Sequence, residues 1–367
     1  MKLISWCRAN AMPVIAVLAA AVTAIFVPPD EAYLGYFDIK TLSCLLCVLA
    51  VVGALRDVGL FHLLAQKLVQ TFHTTRSVAA ALVGITLVGS MLLTNDTALL
   101  TFLPLSWFVL ERTGQTKWTA LIFILQNCAA NLGGMLTPFG NPQNLYLFNH
   151  YNIPTGDFLT IMLPPFLLST ALILLCCLIL PADGLAVPQQ KALPDKRRTA
   201  AYGTLFCVAV AMVLRGIPYW MGLAVIVAAL LLLDRRALLG VDWGLLATFT
   251  AFFVFSGNMA RIEPVRQMFR QLLDHGAMPV AALTSQIISN VPAAILLSRF
   301  TDDYRGLLVG VNIGGAGTLV ASLASLITFR EYTKHIKGRT GYFMKLFSII
   351  SFAFLAILLA AMTLWMR

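Results

Sequence analysis

Charge is scarce in this sequence: only 11% of its 367 residues are Asp, Glu, Lys or Arg, against 59% that are hydrophobic. So little charge cannot cover a water-soluble surface. Histidine is also rare. His62, His73, His150, His275 and His335 all lie outside the middles of the apolar stretches, which leaves no Ser/His pair for hydrolysis inside a membrane. Seven cysteines, Cys7, Cys44, Cys47, Cys128, Cys176, Cys177 and Cys207, give an odd count without framework spacing, which excludes a disulfide scaffold. Cys44 and Cys47 form a CxxC inside an apolar run rather than at the start of a soluble helix, so they read as small packing residues.

What is abundant is long apolar runs. A helix of roughly 20 apolar residues crosses about 30 Å of hydrocarbon, and nine segments qualify, near 12–28, 39–55, 117–136, 158–180, 200–214, 218–233, 241–257, 306–329 and 342–365. Two more, 78–110 and 278–300, are interrupted in the middle. The expectation is an all-α polytopic membrane protein. Lys2 and Arg8 before Ala19, Ala20 and Ala21 imitate a signal peptide, but every later element is membranous too, so the first run reads as a retained span.

The net charge of +10 reports topology rather than a nucleic-acid partner. With a cytoplasmic N-terminus and alternating spans, 18 of the 26 Lys and Arg fall inside, among them Arg56, Arg76, Lys191, Arg235 and Arg330, as the positive-inside rule requires. The C-terminus is then outside, and the expected location is a bacterial inner (plasma) membrane.

The chain also repeats itself. "FDIKTLSCLLCVLAVVGAL" from Phe37 aligns with "VDWGLLATFTAFFVFSGNM" from Val241, pairing Asp38 with Asp242. Amphipathic stretches follow at 56–76 and 259–275. Then "LTNDTA" matches "ISNVPA", pairing Asn95 with Asn290, and "NLGGMLTPFGNPQN" matches "NIGGAGTLVASLAS", pairing Asn131, Gly133, Gly134 and Thr137 with Asn312, Gly314, Gly315 and Thr318. One repeat begins outside and the other inside, the inverted arrangement of secondary transporters. The expected organisation is an N-terminal helix at 1–36, a first repeat at 37–180, a cytoplasmic loop at 181–199, connecting helices at 200–240 and a second repeat at 241–365.

The interruptions read as a site. Residues 278–289 and 291–300 make arms of only about 18 and 15 Å at 1.5 Å per residue, too short to cross. A re-entrant hairpin with its tip near 289–292 fits, with Pro292 in the first turn of the returning helix. By the repeat, 94–97 is the matching tip; the alternative for 78–110 is two tilted spans with a surface turn. Non-helical backbone at membrane depth must be buried or line a polar cavity. Returning helix N-termini favour an anion there, and Asn95, Asn290, Thr94, Thr97 and Ser289 supply donors and acceptors. In "GGMLTPFGNPQN", Pro138 and Pro142 break a helix and Gly140 permits close approach. Broken helices are therefore expected near 137–144 and 313–322.

Asp96 is the only ionisable group these spans place deep in the membrane. A central Asp costs about 2.5 to 3.5 kcal/mol, whereas a helix N-terminus returns at most about 2. A bound cation, a proton or local water must supply the rest. The alternative is a protonated or capped Asp that only holds the tip.

At these residues the chain resembles the ion transporter superfamily of divalent-anion/sodium symporters, citrate transporters, arsenite efflux pumps and sodium/proton antiporters. The resemblance covers about residues 37–330. It implies two inverted repeats, each with a hairpin and a broken helix, and a homodimer with a scaffold and a moving part. The symporters' Ser-Asn-Thr tips are matched piecewise by Asn95 and Thr97 and by Ser289 and Asn290, and their Thr-Pro-x-Gly loop resembles "TPFG" from Thr137. "NDTALLTFLPL" looks more like the arsenite-pump and antiporter branch, and Val291 and Pro292 stand where the second tip has threonine. The resemblance implies substrate contacts from Asn95, Thr97, Ser289, Asn290, Pro292, Thr137, Pro138, Asn141, Thr318 and Ser322. It implies a coupling ion at Asp96, Thr94, Asn95, Gly140, Asn290 and Ala321.

The resulting expectation is a secondary transporter of a small carboxylate or inorganic oxyanion, coupled to sodium or protons. The alternative is an arsenite or sodium/proton antiporter using Asp96. A passive channel differs by lacking gradient-driven uptake. No enzyme, organic cofactor or nucleic-acid partner is expected; sodium is the one metal considered, and "NIGGAG" lacks the preceding strand of a nucleotide site.

Overall fold

The computed structural model describes residues 11–61, 63, 64, 67, 71–184 and 195–366. Lys2, Arg8, Cys7, His62, Lys191, Arg367, most of the 181–199 loop and part of the 56–76 stretch lie outside the described residues, and with them part of the charge argument for topology.

Among the described residues every element is helical. In chain order they are α1 (Ala11–Phe26), α2 (Ile39–Asp57), α3 (Thr75–Leu92), α4 (Asn95–Arg112), α5 (Thr119–Gly133), α6 (Pro142–His150), α7 (Thr155–Cys177), α8 (Lys196–Val213) and α9 (Tyr219–Leu233). There follow α10 (Arg235–Leu239), α11 (Trp243–Arg261), α12 (Glu263–Leu273), α13 (Ala277–Ile288), α14 (Asn290–Leu297), α15 (Tyr304–Ile313), α16 (Leu323–His335) and α17 (Thr340–Trp365).

Six helical segments are long and apolar enough to cross a membrane: α2, α3, Thr116–Leu136, α7, α11 and α17. Met12–Phe26, α9 and α13 are apolar but shorter. The apolar run at 306–329 is two helices parted at Gly314–Ser322, where a broken helix is expected near 313–322. The apolar side chains left exposed sit on outer helices, such as Ile25 on α1, Leu232 on α9 and Leu364 on α17, as a lipid-facing surface requires. This is an integral membrane protein.

Local sequence sets the helix starts. Asp38 and Asp242 accept the backbone N–H groups of Thr41 and Leu245, both at 2.9 Å, and so cap α2 and α11. Pro142 opens α6, where its missing N–H costs nothing. The interior is organised around α5, every residue of which is buried. Lipid gives helices no hydrophobic reason to associate, so close approach of small residues has to hold them. A Cβ on Gly133 would lie 2.6 Å from the Leu87 carbonyl oxygen, and one on Gly314 would lie 2.8 Å from Ser285. These two glycines let α5 and α15 pass directly against α3 and α13.

The interrupted stretches differ in length. Helices α3 and α4 have 18 residues each, whereas α13 and α14 have 12 and 8. The turn between α3 and α4 is not a surface turn, since Leu93, Thr94 and Asn95 are all buried. The first broken helix lies slightly earlier than expected. A 3-10 turn at Gly134–Leu136 ends α5, and the chain is helical again from Pro142, because proline at the first helical position restarts the helix.

Candidate functional site

The two hairpin tips are built alike. Asn95 donates its backbone N–H to the Gly140 carbonyl at 3.1 Å, and Asn290 donates its own to the Ala321 carbonyl at 2.9 Å. Each asparagine Oδ1 accepts the next N–H along, that of Asp96 or of Val291, both at 2.9 Å. Thr137 donates its hydroxyl to the Met91 carbonyl at 2.7 Å, and Thr318 donates to the Gln286 carbonyl at 2.9 Å. Each tip is thus strapped to the non-helical segment of a broken helix, which satisfies backbone groups that lipid could not.

Ser289 turns the second tip at φ +75°, a conformation costly for a residue with a Cβ. The first tip needs no such residue. Leu93 and Thr94 are extended there, and Thr94 Oγ1 accepts the Thr97 N–H at 3.4 Å, with the two hydroxyls 2.9 Å apart.

Between the tips lies a buried amide network. Asn131 Oδ1 accepts from Asn95 Nδ2 at 3.1 Å and from Ser322 Oγ at 2.7 Å. Asn312 Oδ1 accepts from Asn141 Nδ2 at 3.1 Å and Gln143 Nε2 at 3.2 Å, while Asn312 Nδ2 donates to Asn144 Oδ1 at 2.6 Å. These bonds tie the two broken helices together, although Oδ1 of Asn141 and Oε1 of Gln143 take no part in them.

Both tips open on one cavity of about 160 Å³. Asn95, Asp96, Gln143, Ser289, Asn290 and Ser322 line its inner part, and Pro292 and Val291 contribute apolar surface. The N-terminal ends of α1 and α11 and the outer half of α16 form the mouth, where Met12, Asp242, Thr248 and Arg330 stand. One Asp96 carboxylate oxygen is buried without a hydrogen-bond partner among the described residues, as are Oδ1 of Asn141 and Oε1 of Gln143. Oxygens of this kind suit a hard cation or a proton. No cluster of three or more His, Cys, Asp or Glu that could hold a metal occurs among the described residues.

Of the residues singled out from sequence, Asn95, Asp96, Ser289, Asn290, Pro292 and Ser322 reach the cavity. Thr94, Thr97, Thr137, Pro138, Gly140, Asn141, Thr318 and Ala321 do not line it. They stand behind the tips, where the bonds above tie most of them to the hairpins and to the network.

Sequence reasoning isolated Asp96, but the fold brings Asp242 and Arg330 to the same cavity. In the sequence Asp242 is only the repeat partner of Asp38 and Arg330 one of the inside cations, and no spacing in the chain links either to position 96. Asn131 and Asn312 were visible only as repeat partners; their pairing was the signal that they matter.

The family model of the citrate transporter matches residues 2–302. An uncharacterized transporter of Methanocaldococcus jannaschii is 32% identical over 88% of each chain. The inner membrane protein YbiR of Escherichia coli is 31% identical over 84% of each. The silicon efflux transporter LSI3 of Oryza sativa subsp. japonica is 32% identical over 50% of this chain and 40% of its own. The first and third of these are named as transporters, and the chain belongs to the citrate transporter family, whose members are transporters rather than enzymes.

Proposed function

We propose that the protein is a secondary active transporter that moves a small anion, a carboxylate or an inorganic oxyanion, by alternating access, with Asp96 binding the coupling sodium ion or proton. The observation that carries this reading is the meeting of both hairpin tips at one cavity beside the unpartnered oxygen of Asp96. The matching bonds of the two tips support two inverted repeats, which the alternating-access mechanism uses. Under the topology drawn from charge, the N-terminal ends of α1 and α11 are cytoplasmic, so the cavity faces inward. Residence in a bacterial inner membrane and assembly as a homodimer belong to the same reading.

The charges lining the cavity explain why coupling is needed. Two carboxylates, Asp96 and Asp242, stand against one guanidinium, Arg330. An anion entering while both acids are ionised meets net repulsion, and a proton or sodium ion on Asp96 removes it. The same balance favours a second reading, in which an uncharged hydroxylated acid such as arsenite or silicic acid is expelled in exchange for a cation on Asp96. The silicon efflux relative agrees with that alternative.

Purified protein in proteoliposomes tests both. Citrate, sulfate, phosphate, arsenite and silicic acid are offered under imposed sodium and pH gradients. At least one should be driven by a gradient, and Asp96→Asn should fold yet lose the response to that gradient. Asn95→Ala and Asn290→Ala should each lower substrate binding. An Asp96→Asn protein that responds to pH and sodium as the wild type does assigns Asp96 a structural role only.

A further inference from the structure

The open cavity has a counterpart that is shut. The cavity is lined on one side by Asp242, Gly244 and Thr248, at and along α11, and on the other by Ser322, Leu326 and Arg330, at and along α16. The pairing of Asp38 with Asp242 carries the first three onto Asp38, Lys40 and Cys44 of α2. The pairing of Thr137 with Thr318 carries the other three onto Asn141, Leu145 and Asn149, at and along α6. Helices α2 and α6 pack directly together, whereas α11 and α16 stand apart with the cavity between them. Leu145 and Asn149 are buried there while their counterparts Leu326 and Arg330 are not; Cys44 and Asn141 are buried, as are their counterparts Thr248 and Ser322.

One residue in that seam does not fit a purely structural role. The Asn149 amide lies beside the Cys44 thiol, and among the described residues that weak sulfur contact is all that meets it. A buried amide met only by a thiol is costly and calls for an explanation. It stands at the position that Arg330 occupies on the open side. A polar group that is poorly met when packed and solvated when the seam parts is suited to line a path that opens.

Charge repeats the pattern in a shifted register. The open mouth has one acid, Asp242, and one base, Arg330, which has no ion-pair partner among the described residues. The shut seam has one acid, Asp38, and one base, Lys40, two residues along the same helix. Arg215 stands near Lys40 at the seam's outer end, donating to the carbonyls of Phe148 at 2.7 Å and Asn152 at 3.3 Å. Both mouths thus pair a capping aspartate with a cation that can meet an anionic group.

We propose that the α2–α6 seam is the second mouth of the cavity, and that Lys40 there receives a carboxylate or oxyanion as Arg330 does at the first. This rests on the alternating-access reading above. Arg330 can offer a planar fork to two oxygens, whereas Lys40 offers a point charge. The two mouths therefore recognise the same group with different geometry.

Thiol labelling of reconstituted full-length protein tests this without a known substrate. One reporter keeps native Cys44 with the other six cysteines replaced. The second is Thr248→Cys in a background lacking all seven, and the third is Asn149→Cys in the same background. The probes are membrane-impermeant methanethiosulfonates, one bearing a sulfonate and one a trimethylammonium group, applied to one face at a time. Thr248→Cys should react from one face, and Cys44 and Asn149→Cys from the opposite face. Each cation should raise the preference for the sulfonate over the ammonium reagent at its own mouth. Lys40→Gln should cut that preference several-fold at Cys44 but not at Thr248→Cys, and Arg330→Gln should do the reverse. If Thr248→Cys reacts while Cys44 and Asn149→Cys stay silent from both faces, or react from the same face, the second mouth is refuted and the cavity reading stands. If Thr248→Cys is itself inaccessible, the cavity is not a transport path and both readings fall. Unchanged charge preference in Lys40→Gln removes the role given to that lysine.

Discussion

Ser322 donates its hydroxyl to Oδ1 of Asn131 across 2.7 Å, joining the loop before α16 to the end of α5, 191 positions earlier. Asn95 shares the same acceptor, so one oxygen holds a hairpin tip and both broken helices in register. Ser322→Ala leaves Asn131 Oδ1 still bonded to Asn95 and should cost about 1 kcal/mol. Asn131→Leu strands two buried donors and should cost about 3 kcal/mol or more, at about 1–3 per group. Thermal unfolding in detergent should rank the two in that order, and equal melting temperatures would deny the network its structural role.

Ser289 pays for its place at the second tip with a φ of +75°. Ser289→Gly should fold at least as stably, because glycine adopts that conformation without strain, while losing the hydroxyl that faces the cavity. Ser289→Val should lower stability by about 1–3 kcal/mol. Melting curves measure the first effect and substrate protection the second. Equal loss of stability in both variants would mean that the hydroxyl, which donates to the Ala321 carbonyl at 3.3 Å, outweighs the backbone.

Gly133→Ala places a methyl against the Leu87 backbone carbonyl, which cannot swing aside. A cost of about 1–3 kcal/mol is expected from overpacking. Gly314→Ala meets Ser285 at 2.8 Å and the Gly310 carbonyl oxygen at 2.9 Å, less close than the 2.6 Å approach at Gly133, and should be somewhat milder. The reverse order in melting temperature would show that α15 is the less yielding of the two helices.

Outside the spans, Arg261 holds Asp30 at 2.6 and 2.9 Å, and this hydrogen bonding keeps the Asp30 carboxyl below the usual carboxylate range. A lowered acid stabilises the fold above its unfolded pKa, near 3.9, and that contribution fades as pH falls through the folded value. The melting temperature of Asp30→Asn should therefore trail the wild type between pH 5 and 8, by a margin that salt reduces. Below about pH 4 the two should converge; a constant gap across that range would place the effect in packing rather than charge.

The sequence by itself determined the solvent, the helices and the two places where helices fail. Apolar run length requires lipid. Proline, glycine and asparagine at 93–97, 137–142 and 289–292 stop regular hydrogen bonding over a few residues, and such local signals survive in one dimension. The internal pairing of Asn95 with Asn290 and of Thr137 with Thr318 also marked which backbone bonds would match. At 306–329 length by itself reads as one span, and it is the repeat match of "NIGGAGTLVAS" to the glycine- and proline-broken segment after Asn131 that marks the break near 313–322.

Only the tertiary structure decided what surrounds Asp96. Asp242, 146 residues further along, caps α11, and Arg330 lies along α16, so neither has a local signal tying it to position 96. Their meeting depends on how α11 and α16 stand apart while α2 and α6 close. Repeat alignment treats the two halves as equivalent and cannot say which one is open. That asymmetry lies in which distant helices come together, α2 packing against α6 more closely than α11 against α16, and contacts between elements so far apart in the chain leave no local signal.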